Sequence, residues 1–518
     1  MLAVLAACGS GKKTATAEQP AQIAKLTVGF TSGGNIPRIA NGKASVGVFI
    51  GELGAELAFH LTADGTMHPW LVTSSRQTDP THWEYQVRKG VKFWDGNELT
   101  AADVAASWNW VGFSPGTNRG AFFKNVKSIT APSRYVVRVT MKTPDATWRT
   151  VPAQFFMGVY EKTWLDKHSA HVGEPKALIM GTGPWIPSNF NPTSGVDFRA
   201  NPDYWRGAVP FKKIRVNFYT DEQGLALAAR SGDIDLALSV SSPETFAKTS
   251  GGWKVTTVPT CGVGLISMPT KTPPFDDVHV RRAIAYAINR EDILKATGGT
   301  AIEPTDYLIT PGLLQLLAPK ATVDEQLEDV PTYPFSVEKA KQELAKSKVP
   351  NGFATALQEP SDPNTLDISQ VIAAQLKAIG IDVKVRNMGT APWYSMIAGP
   401  PDKRAFLYTG TGACQPDPSW EVSLFLGSSN IPPGHINTAN WAPPEVDTLI
   451  EKGVTASDPA DRLDAYIGIQ KAVNTEVPYV PLYQEGASYA SDTYVWTDYS
   501  AYWTGEPWAL FLKPKSQS

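Results

Sequence analysis

Between Trp83 and Ser107 the hydrophobic period switches from that of a strand to that of a helix, so this chain must join sheet and helix at close quarters. Trp83, Tyr85, Val87, Val91 and Phe93 put bulky groups on one face, while Glu84, Gln86, Arg88 and Lys92 point away. That is the alternation of a half-buried strand, interrupted at Lys89-Gly90. Asp95-Gly96 supplies a turn, because glycine tolerates positive φ without steric cost. Thr100 with Asp103 three residues on reads as a helix N-cap, and the helix turns Val104 and Trp108 inward.

The same stretch carries a resemblance. Arg88-Lys89-Gly90-Val91-Lys92-Phe93, Asp95-Gly96, Leu99-Thr100-Ala101, Asp103-Val104 and Ser107 closely resemble the signature of the peptide-binding class of extracellular solute-binding proteins. These are the ABC-importer receptors for oligopeptides, dipeptides, nickel chelates and some oligosaccharides. Pro274-Phe275-Asp276-Asp277, Val280-Arg281-Arg282-Ala283-Ile284 and Ala287-Ile288-Asn289-Arg290-Glu291 match a second signature of the class. Gly181-Thr182-Gly183-Pro184-Trp185 and Asn201-Pro202-Asp203-Tyr204-Trp205 resemble its turn motifs, and the likeness runs from about residue 26 to residue 512.

The resemblance implies an α/β, periplasmic-binding-protein-like fold of type II, in the large three-subdomain class. Two lobes would enclose a ligand cleft, joined by two crossover segments near Cys261 to Leu265 and Gln484 to Ser488. Residues 26–54, 178–262 and 486–518 would form lobe I, 55–177 an extra subdomain of lobe I, and 263–485 lobe II. Independently, 518 residues exceed what one hydrophobic core supports, so two or three domains are expected. A net charge of −3 without a strongly basic tract argues against a nucleic-acid partner.

Three cysteines differ in meaning. Leu5-Ala6-Ala7-Cys8 resembles a bacterial lipobox, with Cys8 as the lipidated residue. The apolar stretch before it is short and lacks a positive n-region, which implies that the recorded start is truncated. Residues 1–25 would then be signal remnant, lipobox and flexible tether. No apolar run reaches about eighteen residues, so no membrane-spanning helix is expected. Together the family resemblance and the lipobox likeness imply an extracytoplasmic protein on the outer face of the bacterial cytoplasmic membrane, working as a monomer with an ABC permease and its ATPase subunits.

Along the chain, strands are expected at Leu26–Phe30, Tyr135–Met141, Ile214–Phe218 and Gly380–Val385. Helical spacing covers Asn41–Leu61, Gln223–Arg230 and Ser369–Ile379, with Gly380 ending the last helix at positive φ. Ile284, Ala287 and Ile288 are core, and Arg281 and Arg282 are solvated or ion-paired rather than ligand-binding.

A trapped solute needs partners for its polar atoms, since each unpaired one costs about 1–3 kcal/mol. The resemblance implies that Trp393 flanks the cleft, that Leu238, Ser239 and Val240 approach the ligand, and that Cys414 lies in a cleft loop, joined to Cys261 by a disulfide. Here the chain departs from peptide-binding relatives. Gln415-Pro416 stands where they place the Asp that neutralises a peptide's α-amino group, and Gly410 or Thr411 replaces a cleft Arg. Asp417 and Glu485 are the remaining charge partners. Tyr408, Trp420, Tyr502, Trp503 and Trp110 join Trp393 as candidate stacking faces for sugar rings or aromatic side chains, with Trp393 and Trp503 foremost.

No metal or cofactor is expected: His168 and His171 lack a third ligand. Asp233 and Asp235 read as structural rather than as an acid–base pair. No HExxH or GxSxG is present. The function expected is a non-enzymatic receptor that captures an oligopeptide. An oligosaccharide, an opine-like conjugate or a metal chelate is the alternative solute, and a secreted hydrolase ranks last.

Overall fold

The computed structural model describes residues 22–31, 51–62, 66–114, 120–361, 363–400, 406–411, 416–431, 436–497 and 507–515. Cys8, Cys414, Tyr502 and Trp503 lie outside them, as do residues 1–21, which hold the expected signal and most of the tether.

The strands run in chain order as β1 (Leu26–Thr31), β2 (Phe59–Leu61), β3 (Met67–Pro69), β4 (Val72–Asp79), β5 (His82–Val87), β6 (Val126–Ser133) and β7 (Val136–Met141). Next come β8 (Trp185–Asn191), β9 (Gly195–Ala200), β10 (Lys213–Tyr219), β11 (Leu236–Leu238), β12 (Val255–Ser267) and β13 (Ala301–Pro304). The last are β14 (Phe353–Pro360), β15 (Ile381–Met388), β16 (Leu407–Gly410), β17 (Tyr479–Ala490), β18 (Tyr494–Trp496) and β19 (Leu512–Pro514). Among the described residues, β4-β5-β7-β6 form a separate four-stranded sheet, and a mixed eleven-stranded sheet runs β15-β14-β16-β12-β17-β11-β1-β10-β9-β8 with β13 also on β17.

The four-stranded sheet shows why alternation is legible. Trp83, Tyr85 and Val87 are buried, and Trp83 and Tyr85 pair with Val139 and Val137 of β7. Val91 and Phe93 are buried too, but lie beyond the end of β5, which stops at Val87. The helix Ala101–Phe113 covers this sheet, with Val104 and Trp108 fully buried. Asp103 accepts from the Thr100 N–H at 2.8 Å and hydroxyl at 2.7 Å, and its other oxygen takes the Lys162 N–H at 2.8 Å. One buried carboxylate thus fixes the start of two helices.

The helical spacing read over Asn41–Leu61 does not extend to its end. Phe59–Leu61 is a strand, antiparallel to Met67–Pro69; residues 32–50 lie outside the described set. Tertiary pairing outweighs helical propensity here.

Glu56 explains two motifs that read in sequence only as turns. Its fully buried carboxylate accepts from Trp70 Nε1 at 2.7 Å, Thr182 Oγ1 at 2.6 Å, Tyr204 OH at 2.8 Å and Trp205 Nε1 at 3.0 Å. The Gly-Thr-Gly-Pro-Trp and Asn-Pro-Asp-Tyr-Trp segments therefore supply donors that compensate a buried charge.

In the other half, the helix Pro363–Lys377 connects parallel strands β14 and β15, and Gly380 has φ of +88°. Ile284, Ala287 and Ile288 are fully buried. Arg281 and Arg282 donate to Glu476 O and Thr475 O, at the end of the helix Pro459–Glu476, so both serve as its C-terminal clamp.

Candidate functional site

Two long antiparallel strands carry the chain between the halves of the large sheet. Toward one end, β12 residues Val255–Pro259 pair with β17 residues Ala490–Gly486, next to β11. Toward the other end, Val263–Ser267 pair with Gln484–Tyr479, next to β16. The register shifts between Pro259 and Val263, leaving Thr260, Cys261 and Gly262 bulged opposite Glu485. A bulge bends its strand and re-aims side chains. Gln484 Nε2 donates to Thr260 O at 2.6 Å, and Thr260 Oγ1 donates to Glu485 O at 3.0 Å, so the bulge is held rather than loose.

Several candidate residues gather around this junction. Leu238 pairs with Tyr489, Ser239 is exposed at φ +55°, and Val240 N–H donates to Ser488 O at 3.0 Å. Tyr408 is buried on β16, hydroxyl to hydroxyl with Tyr483. Thr411 N–H donates to Val263 O at 2.9 Å, tying the end of β16 to β12 beside the bulge. Cys261 is 1% exposed. Burial pushes the Glu485 carboxyl up to about 7.

Other candidates lie apart. Trp393 is buried in a small apolar group with Ile397 and Leu407. Trp110 sits inside the 55–177 segment, donating Nε1 to Ser169 O at 3.1 Å. Asp417 is 5% exposed and faces Arg462 at 2.5 Å, with its second oxygen taking the Ser419 N–H at 2.9 Å. Asp235 caps β1 through the Thr27 N–H at 2.7 Å, and Asp233 accepts from Ser231 Oγ at 2.6 Å. His171 pairs with Glu174, and among the described residues no cluster of metal-ligating groups occurs.

Sequence reading missed the contacts that cross between the 55–177 segment and the residues after 263. Phe122 stacks on Trp420 with centroids 4.0 Å apart and planes 15° from parallel. A cavity of about 870 Å³ also spans the two regions, lined by Ser75, Gln77, Asp145 and Arg149 from one side and Asp417 and Arg462 from the other. Neither partner is close to the other in sequence, so no local pattern signals the contact.

Residues 66–433 match the model of the bacterial extracellular solute-binding proteins, family 5 middle region. The chain belongs to that family. This family 5 protein is a solute-binding receptor of the ABC-importer class. It is 25% identical over 415 residues to the glutathione-binding protein GsiB of Escherichia coli K12, covering 79% of this chain and 78% of the relative. The oligopeptide-binding protein AppA of Bacillus subtilis, solved with a nonapeptide, superposes with a TM-score of 0.74 at 21% identity, covering 96% of this receptor and 100% of AppA. AgaA of A. tumefaciens R10, solved with agropinic acid, gives 0.72 at 22% identity, covering 95% and 99%. These structures establish the type II periplasmic-binding fold. Among the described residues no helix is long and apolar enough to cross a membrane.

Proposed function

We propose that this receptor captures an oligopeptide by closing two lobes about the β12–β17 crossing and hands it unchanged to a membrane permease. The observation that carries the reading is the pair of long antiparallel strands with a bulge at their midpoint, since two side-by-side tethers permit a hinge rotation. In this reading lobe I comprises residues 26–54, 178–262 and 486–518, the 55–177 segment is its extra subdomain, and 263–485 is lobe II. Leu238, Ser239, Val240, Tyr408, Trp393, Asp417, Glu485, Trp503 and Trp110 are the candidate ligand contacts. Cys8 carries lipid that holds a monomer to the outer face of the membrane, and Cys414 closes a disulfide with Cys261. The approach of Thr411 to Val263 supports that pairing.

Relatives that bind glutathione, peptides and agropinic acid support a small, polar, amine-derived solute. An opine-like conjugate is the second reading. It is favoured by Gly410 and Pro416, which leave no charge at two positions where peptide termini would be held. Native mass spectrometry of protein purified without denaturation tests the receptor reading. A retained small solute, chemically unchanged after release, is expected. Calorimetry with peptides against opine-like conjugates and oligosaccharides then separates the solutes, and persistent turnover of the bound compound would refute a receptor.

A further inference from the structure

We propose that Glu485 selects the charge of the solute, its carboxylate receiving a cationic nitrogen, an amine or a guanidinium, at the junction of the lobes. The inference rests on the receptor reading and deepens it by assigning the class of solute.

On the face of the sheet where β12, β16 and β17 meet, side chains are missing at Gly262, Gly264 and Gly410. A β-carbon at Gly262 would stand 2.5 Å from Glu485 Oε2, and one at Gly410 would collide with Oε1. Tyr483, two residues earlier on the same face, fills the space over Gly264, where a β-carbon would lie 2.5 Å from its ring. The glycines thus make a recess, Tyr483 occupies one end of it, and the Glu485 carboxylate stands in the other. The recess exists only because two strands, β12 and β16, bring their three glycines together.

Glu485 keeps part of its surface open. Its raised carboxyl value comes from burial, and among the described residues no neighbouring charge contributes. The other acids nearby are differently placed. Asp417 is consumed by Arg462, and Glu421 is 1% exposed, 3.8 Å from the Cys261 sulfur. A partly desolvated carboxylate with no cation beside it among the described residues is costly to ionise, and a cation delivered by the solute relieves that cost as the lobes close. This is a difference in affinity between free and liganded forms, which is what drives closure.

The test incubates the intact receptor with an equimolar tripeptide library that contains free and N-acetylated members together with maltotriose, and reads retained species by native mass spectrometry. The wild-type protein is expected to retain members with a free cationic nitrogen. Glu485→Gln is expected to cut their enrichment by about tenfold or more. Gly410→Ala, whose methyl displaces the carboxylate, should do the same, with thermal melts reporting folding of both variants. Equal enrichment by Glu485→Gln, or a wild-type preference for acetylated or neutral members, overturns the proposal and leaves the receptor reading standing. The wild-type preference needs no variant to fold. Retention of no species at all overturns both.

Discussion

Asp417 and Arg462 stand 2.5 Å apart in the protein interior, both side chains less than a tenth exposed. Arg462 also donates to Gly453 O at 2.6 Å, and Asp417 takes the Ser419 N–H, so each charge is surrounded by partners. The carboxylate beside Arg462 holds that guanidinium above its ordinary range despite burial. Asp417→Ala would leave a buried cation uncompensated and is expected to lower unfolding stability by about 3–5 kcal/mol. Urea unfolding measures this. Restoring stability with a second change, Arg462→Met, would separate the cost of the stranded charge from any loss of packing.

Glu56 gathers donors from three separate segments, and its removal should be felt across all of them. Glu56→Ala strands Trp70, Thr182, Tyr204 and Trp205 donors in the interior. A loss of about 3 kcal/mol or more is expected, since each buried orphan costs about 1–3 kcal/mol. Tryptophan fluorescence during denaturation reports both the loss and the altered surroundings of Trp70 and Trp205.

Phe122 and Trp420 meet face to face across the two halves. Phe122→Ala removes a contact between the 55–177 segment and the residues after 263, worth about 0.5–1.5 kcal/mol. Affinity for the retained solute should fall by roughly two- to tenfold, with little change in melting temperature. Calorimetry and a thermal melt on the same sample check both parts.

Glu485 makes stability depend on pH with a definite sign. Below its ordinary value of 4.5 the carboxyl is protonated in folded and unfolded chains alike, and its burial costs nothing extra. Between 4.5 and about 7 the unfolded chain sheds the proton while the folded one keeps it, so stability falls as pH rises; above that it levels off. The total fall attributable to this group is on the order of 3 kcal/mol. Glu485→Gln should flatten that part of the profile, measured as unfolding free energy from pH 4.5 to 8.

The contrast between these residues shows what the sequence discloses. The strand at His82–Val87 and the helix at Ala101–Phe113 were legible because their patterning is local: alternation, then a cap with its acid three residues on. The family signature was legible for the same reason. Glu56 was not, because its partners Thr182 and Tyr204 are 126 and 148 residues away. Asp417 read as a free charge because Arg462 lies 45 residues on, in the helix Pro459–Glu476. Glu485 drew notice as an acid, but its recess did not. A glycine at 262 and another at 410 acquire meaning only when β12 and β16 lie side by side.

Small-angle X-ray scattering bears most directly on the clamshell. Receptor stripped of solute by unfolding and refolding is measured before and after its native extract is returned. The radius of gyration should shrink on adding the extract, as the proposed lobe closure requires. Identical curves, with the solute demonstrably bound, would contradict capture by lobe closure.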